Sequence, residues 1–212
     1  MDVAAIPRST RRRVATARSI YRRAGLREVL LHTLLLLGYH RVLLFEAALL
    51  PTTPPPAAKV PLECAFVGTE ALDELARFRD DLPRQKLASR FERGERCFVA
   101  RSHGEVVAAY WIHRLDVELP EVGHTLVVPE DAVYVGDAWV TESLRGLGIA
   151  GHVTREVKNR LAEEGYRRWV FFVLAGNHLG LANARSSGPR ETARIAALKL
   201  GRLPAIPLPF VG

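Results

Sequence analysis

The sequence predicts an α/β fold with one principal domain, a sheet flanked by helices, and three observations carry that prediction. From Gly148 to Glu164, Ile149, Val153, Val157 and Leu161 recur four apart while Arg155, Glu156, Lys158, Asn159 and Glu163 face away, the stripe of an amphipathic helix. That helix lies between two strand-like runs, Asp131–Thr141 and Arg167–Leu174, the second carrying Trp169 and Phe171-Phe172 among other β-formers. Upstream, Glu95–Arg101 and Glu105–His113 are strands joined by Ser102-His103-Gly104, a hairpin signal. A chain of 212 residues that is 48% hydrophobic can bury one substantial core, and 25% charged residues with ordinary Gly and Pro exclude disordered and fibrous classes.

The elements follow in order. Arg11-Arg12-Arg13, Arg18 and Arg22-Arg23 form a basic arm that meets the apolar stretch Val29–Leu37. A membrane span needs about 20 apolar residues. This stretch contains His32 and is bounded by Arg27-Glu28 and His40-Arg41, so it reads as a basic amphipathic helix. No small-residue cleavage pattern of a secretory signal follows it; the Arg-rich, acid-poor start has the composition of an organellar transit peptide, and the expected location is otherwise cytoplasmic.

Arg41–Glu46 reads as a strand, and Pro51-Thr-Thr-Pro-Pro-Pro-Ala-Ala as an extended linker, because successive prolines cannot donate to a ladder. The boundary is therefore drawn there, with residues 1–58 an N-terminal helix and strand extension and 59–212 the domain. Within the domain Lys59–Val67 is a strand, Thr69 caps a helix through about Asp80, and a second helix follows Pro83. Gly165 suits the left-handed position that ends the amphipathic helix. Gly176–Gly188 reads as a polar loop, and Pro189 as the start of a last helix stopping at Gly201. No internal repeat is present.

Charge and special residues narrow the function classes. Of 30 basic and 23 acidic residues, residues 1–27 hold eight arginines and one acid, leaving 22 of each in the remainder, so the body is neutral and any pull on anionic membranes or partner proteins belongs to the arm. Tyr21 is the arm's one aromatic residue, which argues against nucleic-acid binding by base stacking. Cys64 and Cys97 match no metal or redox spacing and read as buried thiols. His113, His124, His152 and His178 are scattered without paired spacing, so no metal is expected.

The chemistry concentrates at Arg145-Gly146-Leu147-Gly148-Ile149-Ala150. A strand, a glycine-rich turn and a helix bind phosphates, because the first helical N–H groups lack intrahelical partners and the dipole favours negative charge there. Gly146-Leu-Gly148-Ile-Ala-Gly151 satisfies the dinucleotide pattern literally, but Thr141–Arg145 separate the first glycine from its strand, and Phe171-Phe172-Val173 stand where a ribose-binding acid is needed. Read from Arg145 as Arg-x-x-Gly-x-Ala, preceded by Asp137-Ala-Trp-Val-Thr and followed by helix and buried strand, the turn resembles the acyl-CoA signature of the GNAT superfamily of N-acetyltransferases. The resemblance covers roughly Lys59 to Gly201 and extends to element order.

It implies a central mixed, mostly antiparallel twisted sheet flanked by helices, and acetyl-CoA or another acyl-CoA as cosubstrate. The amides of Gly146, Gly148, Ala150 and Gly151, within Gly146–Gly151 and so alongside Leu147 and Ile149, would hold the pyrophosphate, with Arg145 adding a cation. The signature strand would splay from its neighbour, freeing backbone groups at Ala138, Trp139 and Val140 for pantetheine and the thioester carbonyl. A small-molecule or peptide amine would then attack directly. Asn183, before Ser186-Ser187, resembles a further CoA contact, with Asn177 competing for the role.

Direct attack needs a base, and Asp137, beside the thioester strand, is the first candidate, with Glu142 the second. The superfamily's tyrosine before a final Gly-Phe is missing from Ala196-Ala-Leu-Lys-Leu-Gly-Arg, and Tyr134 is the candidate substitute acid. Two other classes compete. One is a non-catalytic acyl-CoA-binding module. The other is a peripheral membrane or scaffold protein that uses residues 1–27.

Overall fold

The computed structural model describes residues 38–50, 53–186, 188–199 and 203–208. The basic arm, the expected helix through Val29–Leu37 and the expected stop at Gly201 lie outside these residues. Strands are β1 (Tyr39–Ala48), β2 (Glu63–Val67), β3 (Arg96–Ser102), β4 (Glu105–His113), β5 (Val117–Leu119), β6 (His124–Leu126), β7 (Ala132–Val140), β8 (Arg168–Leu174), β9 (Arg190–Leu198) and β10 (Ile206–Pro207). Helices are α1 (Leu72–Phe78), α2 (Arg84–Glu92), α3 (Ile149–Glu163) and α4 (His178–Ser186), with 3-10 turns at Thr69–Ala71 and Glu142–Leu144.

The main sheet runs β10-β9-β1-β8-β7-β4-β3-β2, and β5 pairs with β6 in a separate hairpin. Every neighbouring pair in the main sheet is antiparallel except β7 with β8, which is parallel, giving the mixed and mostly antiparallel sheet that was expected. On one face Ile149, Val153, Val157 and Leu161 of α3, each at most 1% exposed, pack on Phe98, Ile112, Val133 and Trp169. Burying four such side chains contributes on the order of 6–12 kcal/mol toward docking the helix. Gly165, at φ 90°, turns the chain out of it. On the opposite face Leu72, Leu75 and Leu87 of α1 and α2 cover Cys97, Val99 and Trp111. The β3–β4 hairpin closes through His103 and Gly104 at φ 52° and 83°, both left-handed as its tight turn requires.

Four expectations change. Thr69 makes no side-chain cap but opens the 3-10 turn Thr69–Ala71, and the helix itself runs only from Leu72 to Phe78. The stretch Gly176–Gly188 is largely helix α4, not loop: Asn177 Oδ1 accepts the Gly180 N–H at 2.9 Å to cap it, and Leu181 and Ala184 are buried against Leu43, Phe45 and Val173. The segment after Pro189 is strand β9, not helix, because its Arg190–Leu198 backbone pairs with β1. Alanines at 193, 196 and 197 favour a helix in isolation, and the ladder overrides that preference. Finally, β1 lies inside the sheet between β9 and β8, so a boundary at residue 58 cuts through the sheet.

Candidate active site

The site begins where β7 parts from β8. Their ladder covers Ala132, Val133 and Tyr134 against Arg168, Trp169 and Val170, while β7 continues to Val140 and β8 to Leu174. Beyond Tyr134 the strands diverge, and among the described residues the edge of β7 turned toward β8 has no strand partner there. On its other edge β7 pairs with β4 through a bulge: Gly136 faces Trp111 and Trp139 faces Ala109, so Asp137 and Ala138 together oppose Tyr110. Asp137 sits at φ 45°. The β7–β8 divergence is the splay implied by the resemblance.

The signature turn follows directly. Gly146 and Gly148 adopt φ 84° and 82°, where a β-carbon is strained, and a β-carbon on Gly148 would also stand 3.2 Å from Ala57 O. His152 N–H is the first of α3 bonded one turn back, to Gly148 O at 3.1 Å, and the amides of Ile149, Ala150 and Gly151 precede it with no turn behind them to reach. Proline-rich residues 53–59 run along the helix beside this turn: Lys59 N–H donates to Leu147 O at 2.9 Å, His152 Nδ1 lies 2.9 Å from Pro56 O, and Asn159 Nδ2 donates to Thr53 O at 3.0 Å. This strap ties sheet strand β1 to the turn without closing it.

A cavity of about 540 Å³ opens between the diverging end of β7, the turn and α4. It is lined by Ala138, Trp139 and Val140 from β7, by Leu144, Arg145, Gly146 and Gly148–Gly151 around the turn, and by Asn177, Leu179, Gly180 and Asn183. Of the twelve residues expected to bind cofactor, Leu147 is the one that does not line it; its side chain packs against the core. Arg145 pairs with Glu142 at 3.0 Å, and its guanidinium carbon lies 5.5 Å from the Trp139 ring centroid.

The opposite side of the bulge is occupied by charge. Asp137 Oδ1 accepts from Arg79 Nη1 at 2.9 Å and Oδ2 from Arg90 Nη1 at 2.6 Å. Arg79 is also held by Asp81, through Nε at 2.8 Å and Nη2 at 3.0 Å, and Arg90 by Glu95 at 2.7 Å. Arg93 completes the group on Glu95 at 2.6 Å. Three arginines meet three carboxylates, and the hydrogen bonds that Arg79 donates to Asp81 and Asp137 raise its pKa above the usual value.

The three candidates for proton transfer are thereby placed apart. Asp137 is ion-paired at both oxygens. Glu142 is exposed on its 3-10 turn. Tyr134 is 7% exposed, with its hydroxyl against the Gly136 backbone, and burial raises its pKa, so it stays protonated. The His113 ring lies against it, tilted by 40° with centroids 4.8 Å apart, and burial lowers the His113 pKa. Burial pushes the Cys64 and Cys97 thiols up to about 11 and about 12, which leaves both protonated and unreactive. Among the described residues no cluster of three or more His, Cys, Asp or Glu is placed to hold a metal ion, and no helix is long and apolar enough to cross a membrane. Sequence reasoning missed Arg79, Arg90, Leu144, Leu179, Gly180 and the strap. Residues so far apart in the chain leave no common spacing to detect.

Comparisons with known proteins agree with this fold. The family model described as the Acetyltransferase (GNAT) family matches residues 64–182. No curated protein sequence matches. Among solved structures, a GCN5-related N-acetyltransferase from Sphaerobacter thermophilus is similar at 20% identity and TM-score 0.51, over 81% of this chain and 55% of that one. A GNAT-family chain from Novosphingobium aromaticivorans is similar at 18% and 0.52, over 74% and 62%. A ribosomal-protein-alanine N-acetyltransferase from Brucella melitensis is similar at 17% and 0.50, over 68% and 100%. The chain spans 49% and 64% of the first two structures in the comparison. At these identities the likeness is one of fold.

Proposed function

The chain belongs to the GNAT family of acetyltransferases, and from that premise we propose that it transfers an acetyl or other acyl group from acyl-CoA to a primary amine by direct attack. The observation that carries the proposal is one cavity shared by the amides at the start of α3 and the end of β7 whose β8-side edge has left its ladder. One end offers N–H donors and a helix dipole to a diphosphate. The other offers backbone groups to pantetheine and to the thioester oxygen as it becomes an oxyanion.

In this reading Gly146, Gly148, Ala150 and Gly151 bind phosphate through their amides, Arg145 adds charge, and Ala138–Val140 form the rail for pantetheine. Asn177 and Asn183 line the far wall. The amine attacks the carbonyl, the C–S bond breaks, and the thiolate takes a proton. Tyr134 is assigned as that donor, and the proton shed by the amine nitrogen returns through solvent to restore its hydroxyl. Glu142 is assigned to holding Arg145 rather than to proton removal. The functional domain is drawn from residue 39, because β1 is a strand of its sheet.

The test titrates acetyl-CoA against the full chain by calorimetry, then follows free thiol with a panel of small amines and N-terminal peptides. Saturable binding with acceptor-dependent thiol release is expected. Binding without release by any acceptor would instead favour a non-catalytic acyl-CoA module, and absence of both would remove the proposal.

A further inference from the structure

We propose that Asp137 is a positioning residue whose carboxylate, clamped by Arg79 and Arg90, fixes the bulge that delivers the Ala138–Val140 edge of β7 to the cofactor cavity. This rests on the acyl-CoA reading above.

The backbone states the need. A non-glycine residue at φ 45° within a strand is rare, and it persists only where its surroundings over-determine it. Here they do. Both carboxylate oxygens are bonded, at 2.9 and 2.6 Å, to guanidinium groups that are themselves anchored elsewhere. Arg79, just past α1, is fixed by Asp81 and lies 4.7 Å from the Trp139 ring centroid. Arg90, on α2, is fixed by Glu95 and lies 4.1 Å from that of Trp111. The two helices thus grip one carboxylate from two directions.

The grip falls at a consequential place. Pairing with β8 ends at Tyr134, and the β4 ladder slips across Asp137 and Ala138, so neither neighbouring strand fixes the backbone at the bulge itself. What fixes it is the side-chain clamp. Immediately after it come the three residues of β7 that line the cavity. Trp139 connects the two halves, with Arg79 of the clamp and Arg145 of the signature turn both near its ring. Both carboxylate oxygens of Asp137 are engaged by guanidinium groups and not by the cavity. A positioning residue needs those bonds intact.

The clamp therefore acts on the pantetheine arm and not on the diphosphate, which separates it from a general structural role. The experiment compares CoA with ADP, which carries the diphosphate without pantetheine, by calorimetry on the full chain. The variants are Asp137→Asn, which tolerates the left-handed backbone but loses the charge, and Arg90→Lys, whose single ammonium cannot bridge Glu95 and Asp137 as the forked guanidinium does. Both variants are expected to lose about tenfold in CoA affinity, the scale of one or two weakened backbone hydrogen bonds, while ADP affinity stays unchanged. An unaltered CoA-to-ADP affinity ratio in both variants would overturn the proposal, whether the two affinities hold or fall together. Failure of the wild-type chain to bind either ligand is a separate result, which would remove the acyl-CoA reading itself.

Discussion

The two sides of the β7 bulge solve opposite problems with the same strand. Toward α3 the backbone is open: among the described residues, glycines at the turn, the first amides of α3 and the diverging β7–β8 ladder leave one edge of the chain without a strand or helix partner. Toward α1 and α2 it is closed, with three arginines and three carboxylates satisfying one another over two tryptophans. The difference teaches that a backbone-built ligand site needs stiffness from outside itself. Unpaired amides cannot hold their own geometry, and the packed charges behind them can.

The comparison can be broken most severely on the open side. Gly148→Val places a β-branched residue at φ 82° against the strap carbonyl, and should cost about 2–3 kcal/mol in urea unfolding while abolishing CoA binding. Arg145→Glu should leave unfolding unchanged but reduce CoA affinity roughly 100-fold by calorimetry, the effect of replacing a charge-assisted donor with a like charge. On the closed side, Glu95→Gln leaves Arg90 and Arg93 without their shared carboxylate, and a loss of about 2 kcal/mol is expected in the same unfolding assay. A loss near zero would mean that the network does not stiffen the bulge.

Two smaller effects sharpen the contrast. His113, on the closed side, has its pKa lowered by burial, so the unfolded chain takes up a proton that the folded one resists. Stability should be full above about 6.5, the ordinary histidine value, and decline as pH falls below it; His113→Gln should flatten that decline in unfolding measured from pH 7 to 5. Glu142→Ala removes an exposed pair, changing stability by at most about 0.5 kcal/mol, and should raise CoA affinity about twofold by freeing Arg145.

Local pattern alone determined much of this protein. The four-residue stripe of α3, its glycine stop, the β3–β4 hairpin and the signature turn were all legible, because each is specified by residues within one or two turns of one another. Eleven of the twelve residues expected to bind cofactor line the cavity: nine lie between Ala138 and Gly151, in the signature turn or on the strand before it, and Asn177 and Asn183 come from α4 and its cap. Leu147 was the exception, since its direction depends on the core and the strap.

Tertiary structure decided what short segments could not settle for themselves. His178–Ser186 reads as loop until Leu181 and Ala184 find Leu43 and Phe45, and Arg190–Leu198 reads as helix until β1 offers it a free edge. The strand placed outside the domain by its proline-rich neighbour lies inside the sheet. Asp137 read as a base by its position in sequence, while its surroundings are supplied by arginines 58 and 47 residues away. Helical periodicity and turn chemistry are local properties carried by neighbouring residues, whereas sheet order and ion-pair partners are set by burial and by the pairing of distant backbone, which spacing along the chain does not encode.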